Sequence, residues 1–154
     1  MSPMLDHGDV RALLPQGHPM MLVDRIVHLE PSVSVVGIKA ISGCEPCYRD
    51  LPDGLPPERY AYPASLLLES FGQTAAVLWL SAIGGVHDDQ VLMLGAARGC
   101  RIVGRAYPGD VLEHTARVSH VVGDNVFVEG ESRVGGRLVA VIESMVAVMR
   151  PRAV

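Results

Sequence analysis

Three polar residues at helical spacing are the first place in this sequence where chemistry could occur. Ser65, Glu69 and Gln73 follow one another at intervals of four residues, so they share one face of a helix whose other sides are apolar nearly all round. Carboxylates are seldom buried without a partner or a task, and a positioned carboxyl group can transfer protons. Glu69 is therefore either a catalytic group or the partner of an arginine across a subunit contact, and the pattern leaves both interpretations open.

Proline and glycine mark the two ends of the helix that carries this polar line. Pro63 suits the start, where its missing N–H costs nothing, and the pair Gly84-Gly85 suits the end. The apolar run is about long enough to span a bilayer, but Glu69, Gln73 and four serine or threonine residues interrupt it, and no basic flank follows. We therefore expect a buried core helix and no membrane partner.

Segments rich in β-branched residues predict the strands that must position this helix. A short helix is expected over residues 9–14, then two strands over residues 20–27 and 32–41, joined through Glu30-Pro31. Residues 43–62 are rich in proline and have no apolar period, which predicts a long, functional loop. Four further strands are expected as an antiparallel meander, over residues 91–103, 111–121, 126–134 and 138–149. One long apolar helix and about six strands bury their apolar faces together only if the sheet wraps the helix.

Composition limits the class of protein. The 154 residues are 49% hydrophobic and 19% charged, which predicts one folded domain over residues 1–154. The net charge of −4 and the absence of a basic run argue against a nucleic-acid partner. Three cysteines, an odd number, and a polar start to the chain predict a cytoplasmic location. Cys44 and Cys47 have the spacing of a redox or zinc pair, but no second pair exists, so we expect ordinary loop cysteines, no metal and no cofactor.

Four motifs in order resemble those of the bacterial 3-hydroxyacyl-(acyl-carrier-protein) dehydratases. LLPQGHPMMLVDRI at residues 13–26 resembles the opening of that family, Glu45-Pro46 its strand-end Glu-Pro, PASLLLESFGQ at residues 63–73 its helix start, and YPGD at residues 107–110 its V-P-G-D turn. The resemblance covers about residues 10–150. It implies an α+β hotdog fold, with an antiparallel sheet of about six strands wrapped round one long central helix. It also implies a dimer, with Glu69 as the catalytic acidic residue and Gln73 beside it.

The second catalytic residue of that family, a histidine in a G-H-F-P-G loop before the helix, has no counterpart here. No histidine lies between His28 and His87. Counting back from Pro63 puts Leu55 at the histidine position, and counting forward from Glu45-Pro46 puts Leu51 there. Ala64 stands where family members usually have glycine. We expect the substrate-binding wall around Glu69 to consist of Gln73, Leu55, Tyr62, Pro63 and Ala64.

The remaining histidines offer no obvious replacement. We expect His18 to pack within the N-terminal motif and His87 to be solvated in its loop. His114 and His120 share a strand at even spacing, which predicts that they face the same side, as a surface pair or around an opening.

Three functions are compatible with these features. The first is one half of a heterodimeric dehydratase, in which this chain donates Glu69 and a paralogue donates the histidine. Its substrates would be 3-hydroxyacyl chains on an acyl carrier protein, in fatty-acid, polyketide or polyene synthesis. The second is a non-catalytic homodimer that binds acyl chains or the carrier protein. The third is a hotdog acyl-thioesterase, in which the acidic residue activates water and no histidine is required.

Overall fold

Two α-helices and six β-strands make up residues 4–153, the part of the chain that the computed structural model describes. The helices are α1 (His7–Leu13) and α2 (Ala64–Ile83). The strands are β1 (Arg25–Glu30), β2 (Ser34–Ala40), β3 (Gln90–Ile102), β4 (Val111–Val122), β5 (Asn125–Val134) and β6 (Arg137–Pro151). The long loop before α2 contains two short 3-10 helices, Pro46–Tyr48 and Pro57–Tyr60.

The six strands form one antiparallel sheet in the order β1-β2-β4-β5-β6-β3, and α2 packs against it, mainly on β2 and β4. The predicted meander is confirmed for β4, β5 and β6. It was wrong for β3, which pairs with β6 at the far edge and not with β4. Strand alternation reports which residues face the core, but it carries no information on which strand becomes the neighbour.

The central helix begins and ends where proline and glycine predicted. Pro63 is the N-cap residue, and Gly84 ends the helix in the left-handed conformation with φ of 79°, which glycine adopts without steric cost. The stretch Pro57–Ile83, with a hydropathy of 1.4, is long and apolar enough to cross a membrane by length and composition, but half of its apolar window is buried inside the fold. The core helix of a folded domain can be equally long and apolar, and α2 is the core helix of this fold.

Two glycines set how closely α2 approaches the sheet. A Cβ atom at Gly37 in β2 would lie 2.6 Å from Thr74 Oγ1, and one at Gly130 in β5 would lie 2.8 Å from Phe71 Cε2. Real side chains do not approach so closely, so only glycine permits this packing. The height and rotation of α2 on the sheet are fixed in this way, and with them the direction in which Glu69 points.

The segment before β1 is not the strand that residues 20–27 predicted, since β1 begins only at Arg25. The backbone groups of Met20 and Leu22 are engaged by the side chain of Gln73 and are therefore not paired with a neighbouring strand. α1 begins at His7, because the Asp6 and Asp9 side chains each accept a hydrogen bond from the other residue's backbone N–H and cap the helix.

Candidate active site

The carboxylate of Glu69 is held by Gln73, one turn further along α2. Gln73 is 1% exposed, and its Nε2 donates to Glu69 Oε1 over 2.9 Å and to the carbonyl oxygen of Met20 over 2.7 Å. Its Oε1 accepts from the backbone N–H of Leu22 at 2.9 Å. Both N–H groups of the amide are thus used, and one of them fixes one oxygen of Glu69. Oε2 of Glu69 forms no hydrogen bond with any of residues 4–153.

Glu69 lines a cavity of about 70 Å³ between α2 and the β3, β5 and β6 strands. Its polar end is formed by Glu69 and Gln73, which are hydrogen-bonded to each other, and Gln16 is the third polar residue of the lining. Ser65, the third member of the predicted polar line, is exposed and lies outside the cavity. The other walls are glycine and apolar side chains: Gly72, Ala75, Ala76, Leu92, Met93, Leu94, Val126, Val128, Met145 and Ala147. An apolar cleft with a few polar groups at one end suits a ligand with an apolar chain and one polar centre.

Gln16 is a site residue that the sequence did not single out. Its Oε1 is buried and has no hydrogen-bond partner in the described part of the chain. Gln16 lies within the first motif, between Pro15 and Gly17, but a glutamine in a loop carries no local signal of burial. Only its position against α2 reveals it.

Of the residues predicted to bind substrate, only Gln73 lines this cavity in the single chain. Pro63 caps α2, Ala64 is exposed on its first turn, and Leu55 lies half-buried in the loop. Tyr62 is 6% exposed, and its hydroxyl donates to Glu45 Oε2 at 3.1 Å. Burial and the nearby Glu45 carboxylate raise the pKa of Tyr62 well above its usual range, so it stays protonated. A role in substrate binding for these four residues stays a prediction about an assembled dimer.

Glu45 anchors both ends of the long loop. Its Oε1 accepts from Lys39 Nζ at 2.8 Å and from the backbone N–H of Ser42 at 3.0 Å. The side chains of Lys39 and Glu45 are 8% and 13% exposed, so this is a buried ion pair. Together with the Tyr62 contact, it ties the end of β2 to the base of α2. Residues 4–153 contain no group of three or more histidine, cysteine, aspartate or glutamate side chains that could hold a metal ion.

His114 and His120 do not face the same side, and that prediction was wrong. The register between β4 and β5 shifts between Val118 and His120, and the bulge reverses the alternation. His120 is exposed and stacks on Phe127, with ring centroids 4.1 Å apart. His114 is fully buried beneath α2.

Two serines satisfy both ring nitrogens of His114. Ser70 Oγ lies 2.7 Å from Nε2 and donates its own proton to the Leu67 carbonyl oxygen, so it accepts from Nε2–H. Nδ1 then accepts from Ser132 Oγ at 2.7 Å. Burial, and secondly the charge of Lys39, lower the pKa of His114 to about 3. His114 is therefore neutral near pH 7 and separated from the Glu69 cavity.

No histidine in residues 4–153 lines that cavity. His87 is exposed, as predicted for a solvated loop residue. His18 is exposed as well, and the prediction that it packs was wrong. It lies at the edge of a separate cleft near Glu45, where the chain turns toward the surface before Met20.

Comparison with solved structures identifies the class of protein. The dehydratase heterocomplex ApeI:P from Xenorhabdus doucetiae superposes with a TM-score of 0.71 at 16% identity, covering 94% of this chain and 91% of that one. A thioesterase superfamily member from Thermus thermophilus superposes with a TM-score of 0.58 at 16% identity, covering 81% and 86%. A six-stranded antiparallel sheet around one long helix, shared with these proteins, is the hotdog fold, as predicted.

Sequence comparison then identifies the family. The 3-hydroxyacyl-[acyl-carrier-protein] dehydratase FabZ of Paramagnetospirillum magneticum is 30% identical over 140 residues, which are 91% of this chain and 84% of that protein. FabZ of Bradyrhizobium diazoefficiens is 27% identical over 137 residues, 89% and 87% of the two chains. The chain matches no protein-family profile. It belongs to the FabZ family of dehydratases, which confirms the resemblance drawn from its four motifs.

Proposed function

We propose that this chain is a dehydratase subunit that supplies Glu69 to an active site whose histidine comes from a paralogous subunit. The proposal rests on one observation: Gln73 holds Glu69 at the polar end of an apolar cavity that no histidine of residues 4–153 lines. Leucine cannot transfer a proton, so neither Leu51 nor Leu55 can replace the missing base. The substrate is a 3-hydroxyacyl chain on an acyl carrier protein, in cytoplasmic fatty-acid, polyketide or polyene synthesis.

The reaction divides proton transfer between the two groups. The partner's histidine removes a proton from C2 of the thioester, where the carbonyl stabilises the developing negative charge. The C3–O bond breaks, the C2–C3 double bond forms, and Glu69 in its acid form gives its proton to the departing hydroxyl. The products are a 2-enoyl thioester and one water molecule, and a proton returns from the histidine to Glu69 before the next turnover.

The free edge of β3 is the expected site for the second subunit. β3 is the last strand of the sheet, and its residues Met93 and Leu94 are 49% and 54% exposed. An edge strand with exposed apolar side chains readily pairs with another chain. Met93 and Leu94 also line the Glu69 cavity, so a subunit bound here lies directly over it. The solved neighbour from Xenorhabdus doucetiae is a dehydratase heterocomplex, which supports a heterodimer over a homodimer.

The test is to co-purify the chain with the dehydratase paralogues of the same genome and measure 3-hydroxyacyl-(acyl carrier protein) dehydration. We expect activity from a hetero-oligomer only, and a loss of about a hundredfold or more with Glu69→Gln, since general acid catalysis contributes at least that factor. Glutamine has the same shape and loses only the acid function. Glu143→Gln, at an exposed position of β6 outside the cavity, is the matched control and should keep full activity.

Two outcomes would reject the proposal: no hetero-oligomer with any paralogue, or an unchanged dehydration rate with Glu69→Gln. A complex that dehydrates at full rate with Glu69→Gln would point to the non-catalytic acyl-binding role.

An acyl-thioesterase is the second candidate, because the fold also matches a thioesterase superfamily member. In this reaction Glu69 would activate water for attack on the thioester carbonyl, with no histidine required. Release of free thiol from acyl-thioesters, followed with a thiol-reactive dye, separates it from dehydration, which leaves the thioester intact.

A further inference from the structure

Gln16 lies against the Glu69 cavity with an acceptor that nothing in the described chain satisfies. Its Oε1 is buried, and no donor in residues 4–153 reaches it. Leaving a buried acceptor unpaired costs about 1–3 kcal/mol. Such groups are uncommon in folded proteins, and because Gln16 also lines the cavity, a rotation of its amide group brings Oε1 within reach of a ligand there.

The other polar groups of the cavity limit which hydrogen-bonding groups such a ligand must carry. Both N–H groups of Gln73 are used on Met20 and Glu69, its Oε1 accepts from Leu22, and the remaining walls are glycine and apolar side chains. Two other side-chain oxygens have no hydrogen-bond partner in residues 4–153 and can serve a ligand: Gln16 Oε1, which only accepts, and Glu69 Oε2, which donates when the carboxyl is protonated.

We propose that Gln16 is a substrate-positioning residue that accepts a hydrogen bond from the 3-hydroxyl group of the acyl chain. This proposal rests on the proposed function, since it assigns the substrate group that Glu69 protonates. A hydroxyl has one hydrogen to donate and two lone pairs to accept with. Gln16 takes the hydrogen, and a lone pair of the same oxygen then faces Glu69. When the C3–O bond breaks, the leaving water keeps its original hydrogen toward Gln16 and gains its second hydrogen from Glu69.

This arrangement gives the site a preference for hydroxylated chains. A site with a buried acceptor rejects a ligand that lacks the donor, because the acceptor then stays unpaired in the complex. The saturated chain and the 2-enoyl product both lack the hydroxyl. Gln16 therefore favours binding of the substrate over both, and it assists release of the product.

The experiment compares two ligands that differ by one hydroxyl. We would titrate the full chain with 3-hydroxybutyryl-N-acetylcysteamine, each enantiomer separately, and with butyryl-N-acetylcysteamine, by isothermal calorimetry. We expect one 3-hydroxy enantiomer to bind about tenfold more tightly than the butyryl thioester, the equivalent of one hydrogen bond. Gln16→Met keeps the shape and removes the acceptor, and should bring the two affinities within about twofold.

Two further variants make the comparison specific. Gln16→Glu retains an acceptor at this position and should retain the preference, which also covers the case in which the methionine variant fails to fold. Gln90→Met makes the same chemical change in another half-buried glutamine, at the start of β3 and outside the cavity, and should leave the preference unchanged.

The proposal is overturned if the wild-type chain binds both thioesters equally, if it does not bind the 3-hydroxy thioester, or if Gln16→Met keeps the tenfold preference. The measurement needs no turnover and no second subunit. If Gln16→Met abolishes the preference for the hydroxyl, the role of Gln16 stands even when Glu69→Gln leaves the dehydration rate unchanged. If the complex is active but the chain shows no such preference, only the role of Gln16 is rejected.

Discussion

Gln73 joins Glu69 to the chain segment that precedes β1. Its Nε2 lies 2.9 Å from Glu69 Oε1 and 2.7 Å from the carbonyl oxygen of Met20, so one amide holds both the candidate acid and the segment before β1. A carboxylate held from one side keeps its second oxygen free for a substrate, with little side-chain freedom left to lose on binding. This contact is therefore important for both folding and the proposed chemistry.

Replacing Gln73 by leucine should lower the free energy of unfolding by about 2–4 kcal/mol, because the buried N–H of Leu22 and the part-buried carbonyl oxygen of Met20 lose their partner. Urea unfolding followed by tryptophan fluorescence measures the change. The matched control is Gln90→Leu, at a half-buried glutamine outside the cavity, and its effect should be much smaller. A Gln73→Leu variant as stable as the wild type would show that the amide bridge contributes nothing.

Removing the charge of Lys39 should also lower the free energy of unfolding, but for a different reason. Lys39→Met leaves the carboxylate of Glu45 buried without its cation, and we expect a loss of about 3–5 kcal/mol in the free energy of unfolding. The double variant Lys39→Met with Glu45→Gln should recover part of this loss, because no charge is then left unpaired. Arg101→Met breaks the exposed ion pair with Glu143 and serves as the control, with an expected change below about 1 kcal/mol. Equal losses in the two single variants would contradict the prediction.

The stability of the fold should depend on His114 below pH 6.5. The pKa of His114 is about 3 in the folded chain, against 6.5 without the protein environment, so the unfolded chain binds more protons between these values. Stability therefore rises with pH across this window, and it is lost as the pH falls from 6.5 toward 3, by at most about 1.4 kcal/mol per pH unit.

Urea unfolding of the wild type and of His114→Gln at several pH values between 4 and 7.5 tests this. We expect the variant to be less stable at every pH, but its free energy of unfolding should fall less steeply as the pH is lowered. His120→Gln, in the same strand but exposed, should keep the wild-type slope. Identical slopes for His114→Gln and the wild type would rule out the buried neutral histidine as a source of acid sensitivity.

Local signals in the sequence were sufficient to predict α2, the strands that follow it and the position of Glu69 on the helix. Pro63 and Gly84 mark the ends of α2 because each restricts or permits backbone conformations independently of tertiary contacts. The strands after the helix were predicted to within three residues, since β-branched runs separated by turn residues are local signals too. The family resemblance added the fold, which the structure confirms, and the prediction that Glu69 is the catalytic acidic residue.

The features that were missed depend on contacts between distant parts of the chain. The pairing of β3 with β6 joins Gln90 to Pro151, and no local pattern encodes it. The alternation of Leu112, His114 and Ala116 puts His114 in the core, whereas the bulge near Ser119 puts His120 on the surface. Gln16 meets α2 only through the path of the N-terminal segment, so its unpaired oxygen becomes apparent only in three dimensions.

The exposed edge of β3 also makes the chain prone to aggregation. This strand runs for 13 residues at the end of the sheet, and one row of its backbone amide and carbonyl groups has no neighbouring strand within the described chain. Such an edge can form backbone hydrogen bonds with any extended segment, including β3 of a second copy of the chain, and thus promotes aggregation. In the proposed heterodimer the second subunit covers this edge, so an unequal supply of the two chains would leave it exposed on the chain in excess.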